Sequence, residues 1–250
     1  MFEETRIVLF DLDGTIYYGS RIIDGANDAI EHCRTLGKRV FFLTNNSTKT
    51  RRQIFDKLVG MGIDCAYEEV LTSGYVAALY AQKEQLENIY LCGSENLASE
   101  FEALGVPVVG PDEARNLLIG YDPDFTYEKM TDAVRVALHA DKVIACNKEK
   151  VFQGEGAAWF PGCGGMVAPI EWCSGHVSDY VIGKPNTLML EMMRERSGLE
   201  KHELLMVGDT YESDILMANK FGCPSILIGT REYHDTVTVE HIGDLVNLVG

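Results

Sequence analysis

Hydrophobic residues along the chain fall into short continuous runs separated by longer segments of helical spacing. Ile7-Val8-Leu9-Phe10, Val40-Phe41-Phe42-Leu43, Tyr180-Val181-Ile182 and Leu204-Leu205-Met206-Val207 are each closed by polar or turn-forming residues. Runs of this kind, rich in β-branched and aromatic residues, predict strands buried on both faces. Ala26, Ile30, Cys33 and Leu36 recur at helical spacing, and Gly37 closes that helix before the next strand. The same glycine stop recurs at Gly62, Gly105, Gly198 and Gly222. Alternating strand and helix imply an α/β fold, a Rossmann-like parallel sheet covered by helices on both faces.

A second pattern of the same type interrupts the first. Between residues 83 and 179 lie Ile89-Tyr90-Leu91, a helix-like stretch from Leu97 to Leu104, Asn116-Leu117-Leu118-Ile119, a helix-like stretch from Tyr127 to His139, and Lys142-Val143-Ile144-Ala145. That is too much periodic structure for a loop. The expected division is therefore a core from 1–82 and 180–250, with 83–179 inserted as a separate α/β domain.

The polar residues closing the four apolar runs carry the chemistry. The first run ends in Asp11-Leu12-Asp13-Gly14-Thr15, the second in Thr44-Asn45-Asn46, the third in Gly183-Lys184-Pro185, the fourth in Gly208-Asp209 with Asp214 five residues on. Ligands of open parallel sheets bind outside the carboxyl ends of the strands, so all four pieces are expected to meet in one crevice. Asp11 and Asp13 can act together only if the strand ends between them, since successive side chains on a strand point to opposite faces. Two carboxylates there invite a hard cation such as Mg²⁺, and they offer a nucleophile and a general acid/base.

Taken together, D-L-D-G-T, L-T-N-N, G-K-P and G-D-T-Y-E-S-D resemble the four motifs of the haloacid dehalogenase superfamily, spanning Ile7 to Asp214. The aspartate two after the first resembles the phosphatase branch. The L-T-N-N-S form, with the large insertion after it, is similar to the NagD-type or 4-nitrophenylphosphatase branch. The resemblance implies a Mg²⁺-dependent phosphomonoester hydrolase acting through an aspartyl-phosphate. Asp11 would be the nucleophile, Asp13 the general acid/base, and Lys184 the cation facing phosphate and nucleophile. Asp11, the main-chain carbonyl of Asp13, and Asp209 would hold the metal, with Asp214 orienting a bound water or Lys184 behind them. Thr44, Asn45 and Asn46 would bind phosphate. The 83–179 insert would be a cap that closes over the active site and shapes substrate choice, with Asn147 and Lys148 either touching substrate or forming an ordinary turn. A phosphotransferase using the same intermediate, or a phospho-ligand sensor, stays open as an alternative. Sugar phosphates, nucleoside monophosphates and aryl phosphates all stay open as substrates.

Composition narrows the partners. The net charge of −16 opposes nucleic acid, which requires a basic footprint, and anionic membranes. No apolar stretch is long enough to cross a bilayer, and the acidic start, Met1-Phe2-Glu3-Glu4, is not expected to act as a signal peptide. The seven cysteines are scattered without a C-x-x-C, which favours reduced thiols and a cytoplasmic location. The six histidines show no metal spacing. Gly162-Cys163-Gly164-Gly165 lacks a P-loop's Lys-Ser/Thr, so it reads as a turn before a helix, and Cys163 as a structural thiol. The expected partner is a small phosphomonoester; homo-oligomerisation stays open.

Overall fold

The computed structural model describes residues 3–153 and 158–248. The chain divides into two compact units, one of Met1–Thr44, Phe55–Leu71 and Lys184–Gly250, the other of Asn45–Ile54 and Thr72–Gly183. Among the described residues, no helix is long and apolar enough to cross a membrane.

The first unit is organised by a six-stranded sheet in the order Val237–Val239, Ser225–Ile228, Leu204–Gly208, Ile7–Asp11, Arg39–Thr44, Val70–Thr72. Its first five strands pair in parallel. Ile7, Val8, Leu9 and Phe10 are at most 1% exposed, as a central strand covered on both faces requires. The chain builds outward from Ile7–Asp11 on one side, then returns to build the other side from Leu204–Gly208. The strand order therefore reverses beside Ile7–Asp11, and the carboxyl end at such a reversal is where open α/β sheets hold ligands.

The second unit has its own four-stranded parallel sheet, in the order Tyr180–Val181, Lys142–Ala145, Asn116–Ile119, Ile89–Cys92. Leu117, Ile119, Val143 and Ala145 of this sheet pack with Ala133 and Val136 of helix Tyr127–Ala137 and with Val167 and Ile170 of helix Gly164–Ser174. This separate core is what makes it a compact unit in its own right. A short antiparallel pair, Val151–Gln153 with Trp159–Pro161, precedes the last of these helices.

Two readings of the sequence change. Tyr180–Val181 is a strand, but it pairs with Ile144 and Ala145 in the smaller sheet and does not join the strands that end in Asp11, Thr44 and Asp209. Three apolar residues show that a strand forms; they carry no information about which sheet it joins. The second unit also begins earlier than residue 83: it contains helix Ser73–Lys83 and the separate segment Asn45–Ile54.

Candidate active site

Asp11 closes the first strand and is buried, 6% exposed. The chain then turns sharply, the Leu12 carbonyl accepting from Ile16 N at 2.9 Å and Tyr17 N at 3.1 Å. Gly14 sits in this turn at φ +92, a conformation that side chains disfavour. The fully buried Thr15 donates its hydroxyl to Asp209 Oδ1 at 3.3 Å. The turn thus grips the carboxylate that follows the neighbouring strand Leu204–Gly208.

Lys184 reaches the same place from the opposite end of the sequence. Its Nζ donates to Asp11 Oδ1 and, at 2.6 Å, to Asp214 Oδ1. Asp214 lies in a π-helical turn, Tyr211–Ile215, and its Oδ2 accepts from Thr210 N at 3.2 Å. Widened turns of this type concentrate at functional sites because they re-aim a side chain. Gly208 leaves the space Asp214 occupies: a Cβ there would lie 2.3 Å from Asp214 Oδ2.

Carboxylate oxygens of Asp11, Asp209 and Asp214 all come within 4.8 Å of one another. Burial and, more weakly, Asp214 push Asp209 up to about 6. Burial also raises Asp11 well above the usual carboxylate range, against the pull of Lys184, while Asp214 and Asp209 add to the rise. Burial opposes the charge of Lys184, but Asp11 and Asp214 outweigh it, and its pKa is raised. Three crowded carboxylates against one ammonium leave an excess of negative charge in an all-oxygen donor set. That arrangement fits a hard divalent cation.

The sequence-predicted residues separate into two groups. Asp11, Asp13, Thr44, Lys184, Asp209 and Asp214 belong to the first unit. Asp214, expected behind the metal ligands, brings its carboxylate directly among them while also holding Lys184. Asp13 is exposed and its carboxylate is not part of the three-carboxylate cluster. Thr44 ends its strand, 4% exposed.

Asn45, Asn46, Asn147 and Lys148 belong to the second unit, where they hold one another and the chain. The Asn45 carbonyl accepts from Ser73 Oγ at 2.6 Å and from Asn147 Nδ2 at 2.8 Å, and its amide donates to Glu149 Oε1 at 2.7 Å. Asn46 Oδ1 accepts from Thr48 N at 3.0 Å and Lys49 N at 2.8 Å, a local turn. Lys148 pairs with Glu171 at 2.6 Å. Cys163 is buried, and burial pushes its thiol up to about 12, in keeping with a structural role.

Sequence patterning singles out neither Tyr17 nor the bond from Thr15 to Asp209. The only signal for Tyr17 was its place on the chain, four residues after Asp13 across a tight turn.

Residues 8–107 match the profile of a family described as Haloacid dehalogenase-like hydrolase, and residues 181–246 match a second, HAD-hydrolase-like profile. The Sugar-phosphatase AraL of Bacillus subtilis is 33% identical over 251 residues, covering 96% of this chain and 92% of that protein. The Acid sugar phosphatase of Staphylococcus aureus is 32% identical, covering 91% and 88%. Among solved structures, a 4-nitrophenylphosphatase from Thermotoga maritima superposes with a TM-score of 0.92 at 27% identity, covering 100% of this chain and 99% of that one.

Proposed function

The chain belongs to the haloacid dehalogenase-like hydrolases and is a phosphatase of that family, and we propose that it hydrolyses a small sugar phosphate through an aspartyl-phosphate on Asp11. The observation that carries this reading is the buried Lys184 ammonium bridging Asp11 and Asp214, with Asp209 in the same cluster. A nucleophilic carboxylate needs no base to activate it. It does need a fixed orientation and a cation to offset the approaching phosphate, and Lys184 supplies both.

In the first step an Asp11 oxygen bonds to phosphorus as the bond to the leaving oxygen breaks, and Asp13 gives that oxygen its proton. In the second step a water loses a proton to Asp13, its oxygen bonds to phosphorus, and the bond to Asp11 breaks. Asp13 thus serves as acid and then as base. The Thr44 hydroxyl is assigned to a phosphate oxygen. Mg²⁺, held by Asp11, the Asp13 main-chain carbonyl and Asp209, would neutralise phosphoryl charge. Asp214 would hold Lys184 and a water of that ion.

Two relatives at 32 and 33% identity are named for sugar phosphates, which supports that substrate class over nucleotides. Substrate choice is assigned to the second unit. The test is turnover of purified protein with Mg²⁺ on a panel of sugar phosphates, nucleoside monophosphates, phosphoglycolate and p-nitrophenyl phosphate. A kcat/KM highest on sugar phosphates supports the reading, and no turnover of any phosphomonoester overturns it.

A further inference from the structure

Tyr17 is 1% exposed, yet its hydroxyl donates to Oδ2 of the exposed Asp13 at 3.4 Å. The backbone holds these two residues side by side. Gly14 N donates to the Tyr17 carbonyl at 2.9 Å, and residues 13 and 17 form a β-bridge. The ammonium of Lys57 lies 3.4 Å from the centroid of the Tyr17 ring. A cation on the face of a phenol draws electron density from it and strengthens its O–H as a donor. A buried tyrosine needs a partner for its hydroxyl, and here that partner is the one carboxylate assigned to move protons.

We propose that Tyr17 is a positioning residue for the general acid: it engages Oδ2 of Asp13 and so fixes the orientation in which that carboxyl meets the leaving group. This rests on Asp13 being the acid/base of the proposed phosphatase reaction. When the leaving group departs, the phosphorus–oxygen bond breaks and its electron pair takes the Asp13 proton. The carboxylate left behind is stabilised by the phenol O–H already in place. In the second half, the attacking water returns a proton to Asp13. A distance of 3.4 Å is long for such a bond, and catalytic hydrogen bonds that are long without substrate commonly tighten when it binds.

A packing role would lower activity on all substrates alike. A positioning role acts only where protonation of the leaving group is costly. The test compares kcat/KM of Tyr17→Phe on p-nitrophenyl phosphate, a good leaving group, and on glycerol phosphate, a poor one, with thermal melts confirming the fold. The expected loss is about tenfold greater on glycerol phosphate and falls on kcat, as for loss of a hydrogen bond to a charged group. Asp13→Asn should show the same asymmetry more strongly, and adding Tyr17→Phe to it should deepen the asymmetry no further. Equal losses on both substrates in a folded Tyr17→Phe protein overturn the positioning role. Should that variant not fold, Tyr17→Met, which also lacks the hydroxyl, decides by the same ratio. Equal losses in Asp13→Asn would instead remove the acid/base assignment itself, and the proposal with it.

Discussion

A Cβ placed on Gly14 would lie 2.3 Å from Oδ2 of Asp209, although 195 positions separate the two residues in the chain. The turn after the first strand is thus shaped around a carboxylate delivered by another strand, and Gly14 permits both the approach and the positive φ of +92. Gly14→Ala should displace Asp209 and weaken Mg²⁺ binding by roughly 10–100-fold, as displacement of a metal ligand's surroundings does. Titration calorimetry with Mg²⁺ reads this directly. Unchanged affinity would mean that Asp209 is not a ligand.

Exhaustive chelation should abolish turnover, with Mg²⁺ restoring it. The three-carboxylate cluster has Lys184 as the cation bound directly to two of its members. Bringing a phosphate dianion to that charge without a further cation is opposed by Coulomb repulsion. Full activity after chelation and desalting contradicts the metal assignment.

Asp11→Asn should abolish hydrolysis without unfolding the protein, since the amide keeps the shape but is a poor nucleophile. Lys184→Met should do more harm to the fold. It removes the buried partner of two buried carboxylates, a change that costs about 3–5 kcal/mol where one member of a buried pair is lost. Chemical denaturation compares the two variants; a Lys184→Met protein as stable as wild type would show that the bridge is dispensable.

Metal-free stability should carry a signature of Asp209. Its folded-state pKa of about 6 stands above the ordinary aspartate value of 3.8. A carboxyl raised on folding contributes stability that is complete below the lower value and lost as pH rises through the higher one. Asp209→Asn cannot lose that contribution. The melting temperature of the Asn variant relative to wild type should therefore increase between about pH 4 and pH 7 without metal, and Mg²⁺ should stabilise wild type alone at the upper end. A difference that stays constant with pH argues against the raised pKa.

Asn147→Ala should act on the second unit through stability. The amide brackets the Asn45 carbonyl at 2.8 Å, and Oδ1 accepts from Glu149 N at 3.1 Å. Losing buried hydrogen bonds of this kind costs about 1–3 kcal/mol. The melt should fall while the ratio of kcat/KM for bulky and small phosphates stays constant. A shifted ratio with an unchanged melt would instead place Asn147 against substrate.

What the chain determined by itself is local and periodic. Ile7-Val8-Leu9-Phe10, a short β-branched and aromatic run closed by polar residues, is the central buried strand that pattern predicts, and Asp11-Leu12-Asp13-Gly14-Thr15 is the carboxylate-bearing turn its residue types favour. The same holds for Arg39–Thr44 and Leu204–Gly208, so Asp11, Thr44 and Asp209 were legible as ends of neighbouring strands. Tertiary structure decided what depends on distant partners. Tyr180–Val181 joined the smaller sheet because Ile144 and Ala145 offered a free edge, which no property of three residues encodes. Helix Ser73–Lys83 went to the second unit although its sequence is an ordinary helix. Asp214 moved among the carboxylates because a π-helical turn re-aims it and Lys184, 30 residues away, holds it there. Nothing in the sequence singles out Tyr17. Its hydroxyl acquires a role only when the folded turn sets it against Asp13, since a hydrogen bond depends on direction and distance that residue type alone does not carry.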